Sequence, residues 1–371
     1  MISGSFWLAI IIFAIIVIIA LFTYYRLKVR RRAGEDAFTK GLLASIEGDF
    51  DEAIRNLKHA AMANTQNVMA YILLGDILRY TGQVAKAMQI HLSLLGRTDL
   101  GRNTKARVYK SLALDSQKKG DLRKAAEYLL NAIEIKPEKW SYDMLIDIYE
   151  KLGEWEKAAE ILRKAGAKDK ERMISFYYAE LAGSYLENGN IEKTKEYAKL
   201  ALNFWDKCPP ALVIMGELHF QDGDYKSAID YWTEFIKNNP GKALPVTERV
   251  ETAFYEMGEF DRVRGHYQKL IDKNPELEPI RIKLALIDEK RGDVDEAFKV
   301  VSSAPKQSEN IAIFKAYFSA INKGCAEIAN ELLPIIKSRL NPTYQCQNCG
   351  FKTQKLLWRC PKCGAWESFL P

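Results

Sequence analysis

The stretch that decides the fold is GDYKSA, residues 223–228, because similar stretches recur at a regular spacing along the 371-residue chain. The other copies are GDFDEA (48–53), GQVAKA (82–87), GDLRKA (120–125), GEWEKA (153–158), GNIEKT (189–194), GEFDRV (258–263), GDVDEA (292–297) and a weaker GCAEIA (324–329). Successive glycines are 34, 38, 33, 36, 34, 35, 34 and 32 residues apart. A period of about 34 residues is typical of stacked helical hairpins.

Each copy has the chemistry of a turn between two antiparallel helices. The glycine ends the first helix, since a left-handed backbone conformation costs little only for glycine. The Asp, Glu or Asn that often follows suits the start of the second helix. A small residue five positions after the glycine lets the two helices approach closely. Alanine fills this position in six of the eight clear copies, at Ala53, Ala87, Ala125, Ala158, Ala228 and Ala297.

Further positions repeat with the same period. The residue seven positions before the turn glycine is small in six copies: Gly41, Gly75, Ala113, Ala182, Gly216 and Ala285. This pattern resembles the tetratricopeptide repeat family, although Thr194 and Val263 depart from it. The resemblance implies an all-α right-handed superhelix whose concave groove binds segments of other proteins. We predict about nine repeats over residues 35–340, with Trp232 in the core.

The N-terminus carries a long apolar segment. Residues 6–25 contain no charged side chain, and a helix of that length spans about 30 Å, the thickness of a bilayer's hydrocarbon core. The alternatives are a cleaved signal peptide or a buried helix. A signal peptide starts with a positive region and ends at small residues, and this segment has neither. The sequence therefore predicts an uncleaved transmembrane helix at residues 1–25.

A basic cluster follows the apolar segment within residues 26–34. It consists of Arg26, Lys28, Arg30, Arg31 and Arg32. Basic residues on one flank predict that residues 26–371 lie on the cytoplasmic side of the membrane, and such residues can also contact lipid headgroups. The net charge of the whole chain is +6, so the remainder is nearly balanced. That balance argues against a nucleic-acid-binding body, whose basic charge would cover a face.

The C-terminal residues 341–371 contain two Cys-x-x-Cys motifs separated by ten residues: Cys346 with Cys349, and Cys360 with Cys363. Four thiolates at this spacing predict a closed tetrahedral zinc site. Iron in a rubredoxin-like redox site and a redox dithiol are the alternatives. A rubredoxin has a far longer insert between its two motifs. Because four cysteines leave no open coordination position, we expect the metal to be structural.

The same segment is rich in aromatic and basic residues. We expect five aromatic side chains to pack around the metal and against neighbouring protein: Tyr344, Phe351, Trp358, Trp366 and Phe369. Four basic residues, Lys352, Lys355, Arg359 and Lys362, leave nucleic-acid binding open as an alternative, although no other basic surface supports it. The remaining cysteines, Cys208 and Cys325, stand alone.

The sequence contains no sign of a catalytic site. The four histidines, His59, His91, His219 and His266, each lie inside a repeat. No His-Glu-x-x-His pair, Gly-x-Ser-x-Gly elbow or phosphate-binding Gly-x-x-x-x-Gly-Lys-Ser/Thr loop is present. We therefore predict that the protein is not an enzyme and has no catalytic residues.

The order of these parts, and residues 344–366 most specifically, resembles the lipopolysaccharide assembly protein B family of Gram-negative bacteria. The resemblance implies a single-pass protein of the cell inner membrane, in contact with its lipids, with its bulk on the cytoplasmic side. It implies an adaptor that controls proteolysis of the lipid A biosynthetic deacetylase by the membrane AAA+ protease FtsH, opposed by a membrane lipopolysaccharide sensor. It also implies that the four clustered cysteines bind the metal and that the ribbon folds back on the last repeats.

Three other functions remain open at this point. The first is a membrane-tethered scaffold that gathers envelope biosynthetic enzymes without a proteolytic role. The second is a nucleic-acid-binding module that uses the basic ribbon. The third is an iron-containing redox carrier. Metal content separates the third function from the others, and binding to nucleic acid at moderate salt tests the second.

Overall fold

The computed structural model describes the backbone of residues 4–166 and 170–371, and the side chains of these residues except 4–12 and 14. The chain forms two compact units, Met1–Leu152 and Gly153–Pro371. The described part of the first unit is made of α-helices. These are α1 (Gly4–Glu47), α2 (Phe50–Ala63), α3 (Val68–Tyr80), α4 (Val84–Leu95), α5 (Arg102–Lys119), α6 (Leu122–Ile135) and α7 (Lys139–Leu152).

The second unit contains further helices followed by a small antiparallel sheet. The helices are α8 (Trp155–Ala165), α9 (Lys170–Glu187), α10 (Ile191–Phe204), α11 (Pro209–Gln221), α12 (Tyr225–Asn238), a short 3-10 helix (Pro240–Lys242), α13 (Leu244–Glu256), α14 (Arg262–Lys273), α15 (Glu278–Lys290), α16 (Val294–Ser302), α17 (Glu309–Asn322) and α18 (Ala326–Leu340). The strands are β1 (Tyr344–Cys346), β2 (Lys352–Thr353) and β3 (Phe369–Leu370), in the order β2-β1-β3. The predicted helical repeats and C-terminal ribbon are confirmed.

The predicted membrane anchor at residues 1–25 is wrong. Residues 1–3 lie outside the described part of the chain, as do the side chains of residues 4–12 and 14. In the remainder, no helix combines the length and apolar composition that a membrane crossing requires. The backbone from Gly4 onward instead begins α1, a 44-residue helix that continues through the basic cluster into the first repeat. The predicted inner-membrane location rested on that anchor and is corrected with it.

The predicted turns have the backbone that the repeat pattern requires. All nine turn glycines have positive φ angles, from 67° at Gly258 to 88° at Gly120. Gly120 shows why: it caps α5, and its N–H donates to the carbonyl of Gln117, an arrangement that is strained for any residue with a Cβ. The residue after the glycine then begins the second helix. Asp121, for example, accepts a hydrogen bond from the backbone N–H of Lys124 at 3.0 Å.

The positions that were predicted to need a small residue between the two helices are buried in the structure. In the eight clear copies, the six alanines placed five residues after a turn glycine are fully buried. The two departures, Thr194 and Val263, are buried as well. Thr194 tolerates burial because its hydroxyl donates to the carbonyl of Asn190 at 2.8 Å, so no polar atom is left unpaired. The helices of a hairpin therefore approach closely at this position.

A buried polar cluster joins two hairpins in the first unit. His91 on α4 and Asp115 on α5 are both fully buried, and His91 Nδ1 lies 2.6 Å from Asp115 Oδ2. Arg79 on α3 donates to the other oxygen of Asp115 at 3.0 Å and to Asp76 at 2.8 Å. A Cβ on Gly75 would lie 2.4 Å from Nε2 of His91, so the glycine makes room for the ring.

In the second unit, one hydrophobic cluster extends from α11 to α18. Trp232 lies in it with no exposed surface, which confirms its assignment to the core. Leu356 and Trp358 of the C-terminal ribbon pack against the same cluster. The ribbon and the helices of this unit therefore share a hydrophobic core.

Candidate metal centre and its docking surface

Two tight turns present the four clustered cysteines. In the first turn, the N–H of Gly350 donates to the carbonyl of Cys346 at 2.9 Å, and Gly350 has a φ of +72°. In the second, the N–H of Gly364 donates to the carbonyl of Cys360 at 2.9 Å, and Gly364 has a φ of +74°. These glycines turn the chain so that both cysteines of each motif point to the same side.

The four sulfur atoms have the spacing of a tetrahedral metal site. All of them lie within 4.8 Å of one another. The Sγ atoms of Cys346 and Cys363 are 3.7 Å apart, and those of Cys349 and Cys360 are 3.6 Å apart. Zn–S bonds of about 2.3 Å in tetrahedral geometry place sulfurs about 3.8 Å apart. The thiolate set therefore fits zinc, with all four coordination positions filled by the protein.

Polar side chains next to two of the cysteines, Cys346 and Cys363, favour the thiolate form. Ser368 Oγ lies 3.2 Å from Cys346 Sγ, and this hydrogen bond is the main cause that lowers the pKa of Cys346 to about 6. Asn348 donates to Cys363 Sγ at 3.4 Å and is the main cause of the lowered pKa of Cys363. Because metals bind thiolates and not thiols, these partners prepare the site for the ion.

The ribbon has only a small apolar core of its own. Tyr344 and Phe369 are buried beside the cysteines, and Phe351 packs edge-on against Phe369 with ring centroids 6.4 Å apart. Strand pairing holds these residues together, since Cys346 lies opposite Phe369 across β1 and β3. A core this small needs the free energy of metal binding to stay folded.

The other two aromatic residues of the ribbon contact the repeats. The ring centroid of Trp366 lies 5.5 Å from that of Phe176 and 5.8 Å from that of Tyr177, both on α9. It also lies 5.9 Å from the centroid of Trp155 on α8. The five predicted aromatic residues therefore have two roles. Tyr344, Phe351 and Phe369 surround the cysteines, whereas Trp358 and Trp366 attach the ribbon to helices.

Trp358 and Glu367 extend this attachment. Trp358 packs against Phe235 on α12 with ring centroids 6.2 Å apart, and Lys242 Nζ lies 4.7 Å above its ring. Glu367 accepts a bond from Arg172 on α9 at 2.5 Å. These aromatic and ionic contacts lie on α8, α9, α12 and the 3-10 helix. They therefore differ from the family-based expectation, which placed the ribbon on the last repeats.

The basic cluster that was predicted to flank a membrane is not part of the metal site. Arg26, Lys28, Arg30, Arg31 and Arg32 are exposed on α1 in the first unit. Arg30 donates to the carbonyl of Met62 on α2 at 2.7 Å. This bond gives one member of the cluster a structural contact within the first hairpin.

Among the described residues, the four cysteines are the only group of three or more His, Cys, Asp or Glu side chains close enough to share a metal ion. The histidines are scattered over separate helices. Two of them pair with a carboxylate: His91 with Asp115, and His219 Nδ1 with Asp224 Oδ2 at 3.0 Å. His266 Nε2 lies 3.1 Å from Thr233 Oγ1.

Sequence reasoning missed two kinds of residue at this site. Ser368 and Asn348 contact sulfur atoms, and their position within five residues of a cysteine was a usable signal. Arg172 and Phe176 hold the docked ribbon but lie on a helix almost two hundred residues earlier in the chain. No local pattern marks them, since their role depends only on tertiary packing.

Comparison with known families agrees with the two parts of the fold. Residues 344–371 match the family described as the rubredoxin metal binding domain. Residues 141–174 and residues 210–241 each match the tetratricopeptide repeat family. The protein thus contains tetratricopeptide repeats and a C-terminal zinc ribbon, as the sequence predicted.

Among curated proteins, the chain is similar to lipopolysaccharide assembly protein B. The Escherichia coli (strain K12) protein is 25% identical over 347 residues, covering 90% of this chain and 88% of the relative. The Haemophilus influenzae protein is 27% identical over 314 residues, covering 81% and 78%. The Bacillus subtilis TPR repeat-containing protein YpiA is 26% identical over 201 residues, covering 50% and 46%. The predicted resemblance to the lipopolysaccharide assembly protein B family is confirmed.

Proposed function

We propose that this protein is a non-enzymatic adaptor that regulates lipopolysaccharide assembly. The observation that carries the proposal is the similarity to lipopolysaccharide assembly protein B over 90% of the chain. The chemistry of the site supports a non-enzymatic role. A metal held by four cysteines has no open position for substrate, so it stabilises structure instead of activating water.

In the finer form of the proposal, the adaptor delivers the lipid A biosynthetic deacetylase to the AAA+ protease FtsH, and a lipopolysaccharide sensor opposes delivery. Helical repeats offer several binding surfaces on one rigid frame. When one surface holds the client and another holds the protease, the second binding event becomes intramolecular and its effective concentration rises. Such an adaptor accelerates degradation without chemistry of its own.

The docked ribbon supports this role, because its two tryptophans connect helices from separate hairpins of the second unit. Trp366 and Trp358 join the ribbon to α9 and α12 through aromatic contacts. A preorganised surface binds a partner at lower entropic cost than a mobile one. We therefore expect adaptor function to depend on the metal site, even though the metal takes no part in a reaction.

The test is the half-life of the lipid A deacetylase after translation is blocked. We compare cells that lack the protein with cells that carry the wild type, Cys346→Ser/Cys349→Ser, or the control Lys362→Ala, which changes an exposed ribbon residue. A half-life that is shorter with the wild type and the control than without the protein supports proteolytic delivery. Equal half-lives in all four strains would reject delivery and leave an assembly scaffold as the function.

A further inference from the structure

Glu367 is the one residue other than glycine that has a positive φ angle in the part of the chain that the structure describes. Its φ of +50° lies in the left-handed region, where a residue with a Cβ is strained. The two metal-binding turns place a glycine at such a position, Gly350 in the first and Gly364 in the second. A glutamate at a bend that glycine would form without strain indicates that its side chain has a role there.

The carboxylate of Glu367 is held by the repeats. It accepts a bond from Arg172 on α9 at 2.5 Å. Arg172 is fixed in turn, because its guanidinium lies 4.8 Å above the ring of Trp205, which packs against Phe176 with ring centroids 5.9 Å apart. The side chains of the ion pair are 53% and 33% exposed, so the pair by itself adds little to the stability of the fold. Its effect is to hold Glu367 in the strained conformation.

The residue after Glu367 contacts a metal ligand. Ser368 Oγ lies 3.2 Å from Cys346 Sγ, and the Ser368 carbonyl accepts a bond from the N–H of Gln347 at 2.8 Å. The N–H of Glu367 donates to the carbonyl of Trp358 at 2.7 Å. Because that bond fixes the backbone before Glu367, a rotation of its φ to a negative value would move Ser368 away from the sulfur.

We propose that Glu367 is a positioning residue that couples the docking of the ribbon to its metal. Arg172 holds the strained backbone of Glu367, and that backbone places the Ser368 hydroxyl next to Cys346. Hydrogen bonds to ligating atoms tune metal affinity. The docked ribbon therefore binds zinc more tightly than the undocked ribbon, and zinc favours docking by the same factor, since coupling between two equilibria is reciprocal. This coupling is independent of the adaptor function proposed above.

Two substitutions at Glu367 separate the strain of the backbone from the charge of the side chain. Both Glu367→Ala and Glu367→Gly remove the carboxylate that Arg172 contacts. Alanine is still strained at positive φ, so Glu367→Ala should relax and raise the zinc dissociation constant about fivefold to tenfold, a range typical of coupled sites. Glycine keeps this φ without strain, so the dissociation constant of Glu367→Gly should stay within about twofold of the wild type. Competition with a chromogenic chelator measures both constants.

A substitution on the repeats should have the same effect as Glu367→Ala. Arg172→Glu replaces the attraction to Glu367 by repulsion, and we expect the zinc dissociation constant to rise about fivefold to tenfold. The matched control is Arg262→Glu, which reverses an arginine of α14 that pairs with Glu259 at 2.8 Å, and it should leave the constant unchanged. Circular dichroism and one bound zinc ion per chain verify that each variant is folded.

Substitution of zinc by cobalt(II) gives a spectroscopic readout, because thiolate-to-cobalt charge-transfer absorption responds to hydrogen bonds at the sulfur. Ser368→Ala removes the bond to Cys346 directly and provides the reference shift. Glu367→Ala and Arg172→Glu should shift the absorption in the same direction, whereas Glu367→Gly should keep the wild-type spectrum. The coupling is overturned if Glu367→Ala and Glu367→Gly bind zinc equally tightly, or if Arg172→Glu retains the wild-type affinity.

Discussion

Gly216 on α11 and Trp232 on α12 are packed so closely that a Cβ on Gly216 would lie 2.3 Å from Nε1 of Trp232. The indole ring is fully buried, and its N–H donates to the carbonyl of Val213 at 3.4 Å. The repeat pattern required a small residue at position 216, and the structure supplies the reason. The absence of a side chain lets the largest aromatic residue of the repeat lie across the helix.

The first prediction concerns this contact. We expect Gly216→Ala to lower the free energy of unfolding by roughly 1–3 kcal/mol, because the added methyl group overpacks the core. Gly183 on α9 is the control, since a Cβ there meets nothing within 4 Å. Gly183→Ala should stabilise the protein by about 0.5–1 kcal/mol, because alanine loses less backbone entropy on folding. Urea unfolding followed by circular dichroism measures both; equal effects would contradict the steric argument.

The second prediction concerns the buried polar cluster of the first unit. Asp115→Ala removes the carboxylate that faces His91 Nδ1 at 2.6 Å and Arg79 at 3.0 Å. Removal of one partner from a buried ionic cluster typically costs about 3–5 kcal/mol, because polar groups remain buried without a partner. The control is Asp143→Ala, which breaks an exposed ion pair with Lys139 and should change stability by less than about 1 kcal/mol. Thermal unfolding that is equally affected by both substitutions would reject the role of Asp115.

The third prediction concerns the metal. The wild-type protein should bind one zinc ion per chain, and Cys346→Ser/Cys349→Ser should bind none, as measured by elemental analysis. The ribbon should unfold in this variant, whereas the helices keep most of their circular dichroism, because the ribbon contributes only Leu356 and Trp358 to the hydrophobic cluster of the second unit. Acidification should release the metal, since protons compete for the thiolates. The exposed cysteine Cys325 serves as control, and Cys325→Ser should retain full zinc content.

The fourth prediction separates the docking of the ribbon from its folding. Trp366→Ala removes the ring that contacts Phe176, Tyr177 and Trp155, so the ribbon should leave the repeats while its metal stays bound. Truncation of a buried Trp lowers the free energy of unfolding by about 3–5 kcal/mol. Because the Trp366 ring is half-buried, its loss should be near the lower end of that range. Limited proteolysis at residues 341–343 reports the release. Lys362→Ala should leave the cleavage rate unchanged; a Trp366→Ala protein as resistant as the wild type would refute this docking mode.

The fifth prediction concerns pH. Burial lowers the pKa of His266 below its usual value of 6.5, and Lys269 and Lys237 act in the same direction, whereas Asp230 opposes them. The folded state disfavours the protonated ring of His266. The contribution of the neutral ring to the stability of the fold is therefore complete above pH 6.5. It is lost as the pH falls through the lower pKa of the folded protein.

Acidification should therefore destabilise the wild type more than a His266→Gln variant, whose side chain does not titrate. Melting temperatures between about pH 8 and about pH 5 measure the difference. His59→Gln is the control, because His59 is exposed on α2. It should retain the acid sensitivity of the wild type. If His266→Gln shows the same pH dependence as the wild type, another group causes it.

The anchor shows where sequence reasoning failed. The uncharged run at residues 6–25 matched the thickness of a bilayer. However, the hydropathy of that segment was evaluated without the residues that follow it in the same helix. In the structure, the described backbone of that run belongs to one helix that extends through charged residues to Glu47. No helix in the described part of the chain meets the requirements of a membrane span.

The sequence by itself determined the features that depend on local chemistry. A left-handed turn at Gly120 needs only the missing Cβ of that residue, and a cysteine motif needs only four residues and a following glycine such as Gly350. The tertiary structure alone decided where the ribbon docks. The contact between Arg172 and Glu367 joins residues separated by 195 positions, and only the stacking of the intervening hairpins brings them together. Such a contact depends on the summed geometry of many helices, so no short stretch of sequence contains it.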